Sequence, residues 1–184
     1  MTKIFDTHAH LLDDSFDEDR DALIKGLDVA GVELVMECST DGDDMIKAAE
    51  LAEKYDNIYA AVGVHPHSAS EYDDVIRERI KELCKGKKVM AIGEIGLDYH
   101  YDFSPRDVQK KVFEDQLMLA EELGMPVVLH SREATEDMLE ILGRHKGIKG
   151  VMHCFSGSAE VAKIVLDLGL HIGFGGSLTF KNAK

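Results

Sequence analysis

No apolar run in this sequence approaches the ~20 residues of a membrane-spanning helix, and Met1-Thr2-Lys3 leads straight into a strand-like segment with no signal-peptide architecture. A cytoplasmic location is the expectation. Cysteine is scarce: Cys38, Cys84 and Cys154 are odd in number and widely separated, which fits reduced thiols and excludes a disulfide framework. Cys38 and Cys154 fall inside apolar, strand-like runs and read as small core residues. Basic residues are short as well, 21 against 35 acidic ones for a net charge of -14. Such a surface opposes broad, sequence-independent tracking of a nucleic-acid backbone. A polyanionic substrate must instead be held in one pocket, by cations and a few placed His, Arg or Lys side chains. The Gly-rich first turn of a dinucleotide-binding sheet is also missing.

What is present is enough for one core: 184 residues, 45% of them hydrophobic, read as one domain spanning 1–184. Strand-like and helix-like segments alternate almost without interruption. The pattern predicts strands at Ile4–His10, Glu33–Ser39, Ile58–His65, Val89–Ile95, Pro126–His130, Gly150–Phe155 and His171–Gly175. Helices are predicted at Phe16–Ala30, Asp43–Tyr55, Glu71–Cys84, Pro105–Leu123, about Glu133–His145 and about Ala159–Leu168. Near-continuous apolar strands separated by amphipathic helices mean a parallel sheet covered by helices.

The polar residues decide between the two architectures that share this rhythm. His8, His10, His65, Glu94, His130 and His153 fall at or near the C-terminal ends of different strands, the face on which a (β/α)8 barrel of the TIM type builds its active site. The barrel is therefore the expected fold. His8 and His10 are two residues apart in an extended segment, so both imidazoles leave the same face. Glu94 lies in an otherwise apolar strand, where an unpaired carboxylate is costly and a metal ion relieves the cost. Four histidines and a glutamate at equivalent strand ends exceed what one ion needs. The set predicts a binuclear site in which Glu94 bridges two divalent ions about 3.5 to 4 Å apart. Mixed imidazole and carboxylate ligands suit Mg²⁺, Mn²⁺ or Zn²⁺. Arg132, two residues beyond His130, points into the same mouth, where its guanidinium binds a phosphate or pairs with Glu133 or Glu136. His65 and His67 flank the rigid Pro66 and either contact phosphate or cap the loop. Asp98 and Tyr99 read as rim residues.

Five stretches carry a resemblance: FDTHAHL at Phe5 to Leu11, GVHPH at Gly63 to His67, AIGEIGLDYH at Ala91 to His100, the long segment from Ser104 to Ala134, and HCFSG at His153 to Gly157. In this order and spacing the chain resembles the TatD-type metal-dependent deoxyribonucleases, metal-dependent hydrolases of amidohydrolase-like barrel fold. The resemblance implies that His8 and His10 bind one metal, that Glu94 bridges, and that His130 and His153 bind the second. It further implies a 3'-5' exonuclease that cleaves phosphodiester bonds at DNA ends, or RNA ends, with a metal-activated water.

The sequence departs from that family's pattern in one place. Members of the family carry near the last strand a Glu-Thr-Asp-Ser/Cys-Pro signature whose Asp completes the metal site, and this chain has none; Asp167 is its last acidic residue. The expectation is therefore a C-terminally truncated barrel of about seven strands, with unpaired edges that favour a homo-oligomer and with weakened metal affinity. Two other functions stay open: a catalytically impaired metal-binding fragment, and a hydrolase of a small ester, lactone or amide.

Overall fold

In the computed structural model, residues 3–182 are described; Met1, Thr2, Ala183 and Lys184, with the expectations for the two chain ends, lie outside them. Seven parallel strands stand in sequence order across one sheet: β1 (Ile4–Ala9), β2 (Val32–Cys38), β3 (Ile58–Val62), β4 (Val89–Asp98), β5 (Val127–Arg132), β6 (Gly150–Met152) and β7 (His171–Ile172). Each is joined to the next through a helix: α1 (Arg20–Gly26), α2 (Asp44–Lys54), α3 (Asp74–Leu83), α4 (Arg106–Leu123), α5 (Thr135–Arg144) and α6 (Ala159–Asp167). The sheet curls until the His8 ring on β1 stacks on the His153 ring beyond β6, 3.7 Å apart. This is the predicted barrel architecture, seven strands of it, with the strands' C-terminal ends at one mouth.

The core lies between the sheet and the helices. Ile58, Ile92, Ile95, Leu97 and Leu129 from the strands meet Phe113, Leu117, Met138 and Leu142 from α4 and α5, all buried. Two buried glutamines tie α4 to the mouth. Gln116 bonds both backbone groups of Val64, and Gln109 bonds both of Asp98 as well as the carbonyl of Ser104. Each amide satisfies loop groups that would otherwise be buried without partners.

The elements differ from the sequence pattern where side chains compete with the backbone. The predicted helix from Phe16 breaks into a short 3-10 turn and α1, because the Asp13 side chain accepts from Ser15 N and Arg20 binds the Leu11 carbonyl. The helix predicted from Glu71 starts later, where Asp73 caps it by accepting from Ile76 N. β4 runs three residues further than predicted, to Asp98. Gly96 permits this: at φ +146° a side chain there would collide with the His130 carbonyl, so only glycine lets β4 pass this close to β5. Cys38 is buried as expected, whereas Cys154 is exposed, since the chain turns at φ 45° on leaving β6. No helix among the described residues is long and apolar enough to cross a membrane.

Candidate metal centre

Glu94, 2% exposed in the middle of the longest strand, is the point on which the mouth converges. Its Oε2 lies 2.8 Å from His8 Nε2 and 3.4 Å from His10 Nε2. Its Oε1 meets His130 Nδ1 at 2.7 Å and also contacts His153 Nε2; His65 Nε2 is further off at 3.8 Å. β1, β5 and the turns after β3 and β6 thus each deliver imidazoles to one carboxylate on β4. Two donor groups in this cluster are tight enough for an ion, each with its atoms within 4.8 Å of one another: His8, His10 and Glu94, and His65, Glu94 and His130. A third comprises His8, His153 and the exposed Cys154.

Hydrogen bonds on the far side of the rings set what each imidazole can do. His10 Nδ1 donates to the Cys38 carbonyl at 2.9 Å, so the lone pair of the neutral ring sits on Nε2, toward Glu94. A hydrogen bond on the far nitrogen orients a metal-ligating histidine in the same way. His65 is arranged the other way. Its Nδ1 accepts from His67 N at 3.2 Å, which leaves Nε2–H pointing into the mouth as a donor. His130 stands between two acids, with Nδ1 on Glu94 and Nε2 3.2 Å from Asp98 Oδ2. Asp98 also takes His67 Nε2 at 3.0 Å and the amides of His100 and Tyr101.

The charges follow from this packing. Burial alone would push the Glu94 carboxyl up, but hydrogen bonds from His10, His130, His153 and His8 hold it well below the usual carboxylate range. Asp98, likewise buried, is held down to about 2 by the Tyr101 amide and His67. Burial drives His65 down to about 3 and His153 below its ordinary value. The hydrogen bond to Glu94 raises His10. The mouth therefore holds ionised carboxylates beside His65 and His153 rings that burial keeps neutral, and the buried His153 Nδ1 has no hydrogen-bond partner. This donor set fits divalent cations: the imidazole nitrogens that turn their N–H groups to Glu94 are those a metal would take in place of the protons.

The residues singled out in the sequence lie at this mouth at differing depth, except Tyr99, which turns to the helices and bonds Asp137 on α5 with its hydroxyl. His8, His10, Glu94, His130 and His153 form the cluster; His65 and His67 line its wall. Arg132 is exposed at the rim, where its guanidinium lies 4.9 Å from the Tyr101 ring centre. Neither proposed acid partner holds it, since Glu133 pairs with His100 at 2.8 Å. Asp98 is a correction: expected at the rim, it is buried against His67 and His130 because β4 continues inward to it. Glu37 was missed. It accepts from the amides of Leu11 and Leu12 at 2.6 and 3.2 Å and so fixes the turn after the two β1 histidines. Its signal was the same as that of Glu94, an acid inside an apolar strand.

A parallel barrel sheet whose strand ends converge imidazoles and carboxylates on one buried glutamate defines the barrel class of metal-dependent hydrolases. The chain belongs to the TatD related DNase family, whose sequence profile matches residues 5–184. It is 45% identical over 183 residues to YabD of Bacillus subtilis strain 168, described as an uncharacterized metal-dependent hydrolase, covering 98% of this chain and 72% of that one. It is 36% identical to the 3'-5' ssDNA/RNA exonuclease TatD of Cronobacter sakazakii, covering 94% of this chain and 66% of that one. Among solved structures it superimposes on YjjV, a TatD homolog from Escherichia coli K12, with a TM-score of 0.91 at 34% identity, covering 98% of this chain and 71% of that one.

Proposed function

We propose that this chain is a two-metal phosphodiesterase that removes nucleotides from the 3' end of a DNA or RNA strand. The observation that carries it is one buried carboxylate, Glu94, with four imidazoles from three segments at both of its oxygens. His8, His10 and Glu94 would hold one ion, and Glu94, His130 and His153 the other, Mg²⁺, Mn²⁺ or Zn²⁺. Ions bound there would acidify water and neutralise charge developing on a phosphoryl group. The protein's own side chains do the rest. Glu94 stays ionised and keeps both halves of the donor set in register. Neutral His65 offers Nε2–H, and Arg132 a planar fork of donors, to the non-bridging oxygens of the scissile phosphate. Asp98 orients His67 and His130 from behind. A substrate held by its terminal phosphate in one mouth suits a chain of net charge -14. The proposal places the protein in the cytoplasm, and allows pairing of copies through the exposed edges of β1 and β7.

A 3'-labelled single strand incubated with Mg²⁺ or Mn²⁺ should release labelled mononucleotide. EDTA and Glu94→Ala should both abolish release. Release that survives EDTA, or hydrolysis of small lactones or amides with none of the strand, overturns the reading.

A further inference from the structure

The loop between β4 and α4 carries aromatic rings that the metal centre does not use. Tyr101 and Phe103 stack on each other with centres 5.3 Å apart and planes 23° from parallel. They are nevertheless 48% and 68% exposed, and Phe103 is the more open of the two. Burying these rings in the core would be the ordinary use of such surface. Instead the pair sits edge-on over His67, whose ring centre is 5.4 Å from Tyr101 and 4.8 Å from Phe103. From His67 the contacts run through Asp98 to His130 and Glu94. The platform therefore adjoins the mouth.

Arg132 is the second observation, independent of the rings. Arg20, Arg77, Arg106 and Arg144 each pair with carboxylates, and Arg79 donates to the Gly42 carbonyl. The Arg132 guanidinium has no hydrogen bond or ion pair among the described residues, although acids outnumber bases in this chain. It lies on the Tyr101 ring, which restricts its swing and leaves its N–H groups unspent. A flat exposed aromatic surface with an unpaired guanidinium at its edge matches one repeating unit of a nucleic acid, base and phosphate.

We propose that Phe103, backed by Tyr101, is a stacking platform for an unpaired nucleobase next to the scissile phosphate, with Arg132 holding that nucleotide's phosphate. The inference rests on the phosphodiesterase reading and names the side chain that would bind the terminal base. A base can lie on Phe103 only when it has left its duplex. Stacking has little base preference, because every base has a π face.

The test uses equilibrium binding of hydrolysis-resistant oligonucleotides with phosphorothioate 3' linkages, in a normal form and in a form whose two 3'-terminal nucleotides lack bases. Anisotropy of a 5' fluorophore reports binding, so turnover is not needed. Phe103→Ala should weaken the normal strand about tenfold, leave the baseless strand within about twofold, and be rescued by Phe103→Tyr. Thermal unfolding should be unchanged, because the ring is exposed. Loss of both strands alike, or of neither, overturns the platform. So does equal binding of the normal strand and a sealed duplex end. Hydrolysis assayed in parallel separates the two failures: a protein that releases nucleotide yet treats base and baseless ends alike refutes only the platform. Absence of both hydrolysis and binding refutes the phosphodiesterase reading with it.

Discussion

The centre and the flanks of the sheet contribute to the same site under different conditions. β3, β4 and β5 are paired on both edges, and β4 is buried at every residue but Met90. β1 has one neighbour, exposes Ile4, Phe5 and Asp6, and pairs with β2 through two irregular steps; β7 is two residues long. Glu94 and His130 come from the centre, whereas His8, His10 and His153 come from the flanks. One half of the donor set is thus held by the core, and the other by the pairing of β1 with β2 and by contacts with Glu94, the Cys38 carbonyl and Glu37. Glu94 is the pivot of the site and one fastener of β1.

Removing the pivot should have the largest effect. Glu94→Gln keeps the shape of the side chain but turns one of its two acceptor oxygens into a donor and removes the charge that balances the imidazoles and would join the two ions. Calorimetric titration with Mn²⁺ should show loss of both binding events, and strand hydrolysis should fall on the order of 10³-fold. If one ion still binds with unchanged affinity, Glu94 is not shared between the halves.

The next prediction sets the halves against each other directly. Hydrogen exchange followed by mass spectrometry should find the amides of Ile4 and Gly173 exchanging on the order of 100-fold faster than those of Ile92 and Val127, because flank strands open without the core. Those four amides all have backbone acceptors, so the difference would report opening rather than missing hydrogen bonds. Added Mn²⁺ should slow Ile4 more than Ile92. Uniform protection would erase the distinction.

How much of this was legible in the sequence follows the same division. The sheet and helix order could be read because central strands are unbroken apolar runs, and the polar residues at their ends, Glu94 above all, point together to a site. β6 and β7 were overestimated, since an apolar run does not say whether a neighbour is there to pair with it. Asp98 was placed too far out because the close passage at Gly96, which carries β4 onward, leaves no mark on hydrophobic periodicity. Opposite roles for His10 and His65 depend on which backbone group each Nδ1 meets, a fact of tertiary structure. Tyr101 and Phe103 sit in a loop, where no period reports exposure.

Glu37 links the flank to the centre and supplies a pH test. Burial pushes its carboxyl up to about 7 against an ordinary 4.5, although the Leu11 and Leu12 amides favour the ion. A raised acid means that between these two values the folded chain keeps a proton the unfolded chain has lost. Its contribution is therefore full below pH 4.5, falls as pH rises to 7, and stays lost above. At 1.36 kcal/mol per unit the shift amounts to about 3 kcal/mol. In EDTA, Glu37→Gln should match the parent at pH 4.5 and exceed its stability at pH 8 by up to about that amount in denaturant unfolding. An identical pH profile for the two proteins would place the ionised Glu37 in comfort and the tie to β1 elsewhere.

The smallest effect concerns the outer edge of β1. Ile4 and Phe5 are 53% and 47% exposed beside unpaired backbone, an edge that a second copy can meet at modest gain. Sedimentation at micromolar concentration should show species heavier than the monomer, and Phe5→Lys should weaken association about tenfold, since a lysine must be desolvated to pair there. The substitution lies away from the imidazole cluster, so metal binding should persist. A single sharp monomer boundary for the unmodified chain would mean that the flank tolerates its open edge in solution. The pairing of β1 with β2, together with the ties from Glu94 and Glu37, would then suffice to hold β1 without a partner copy.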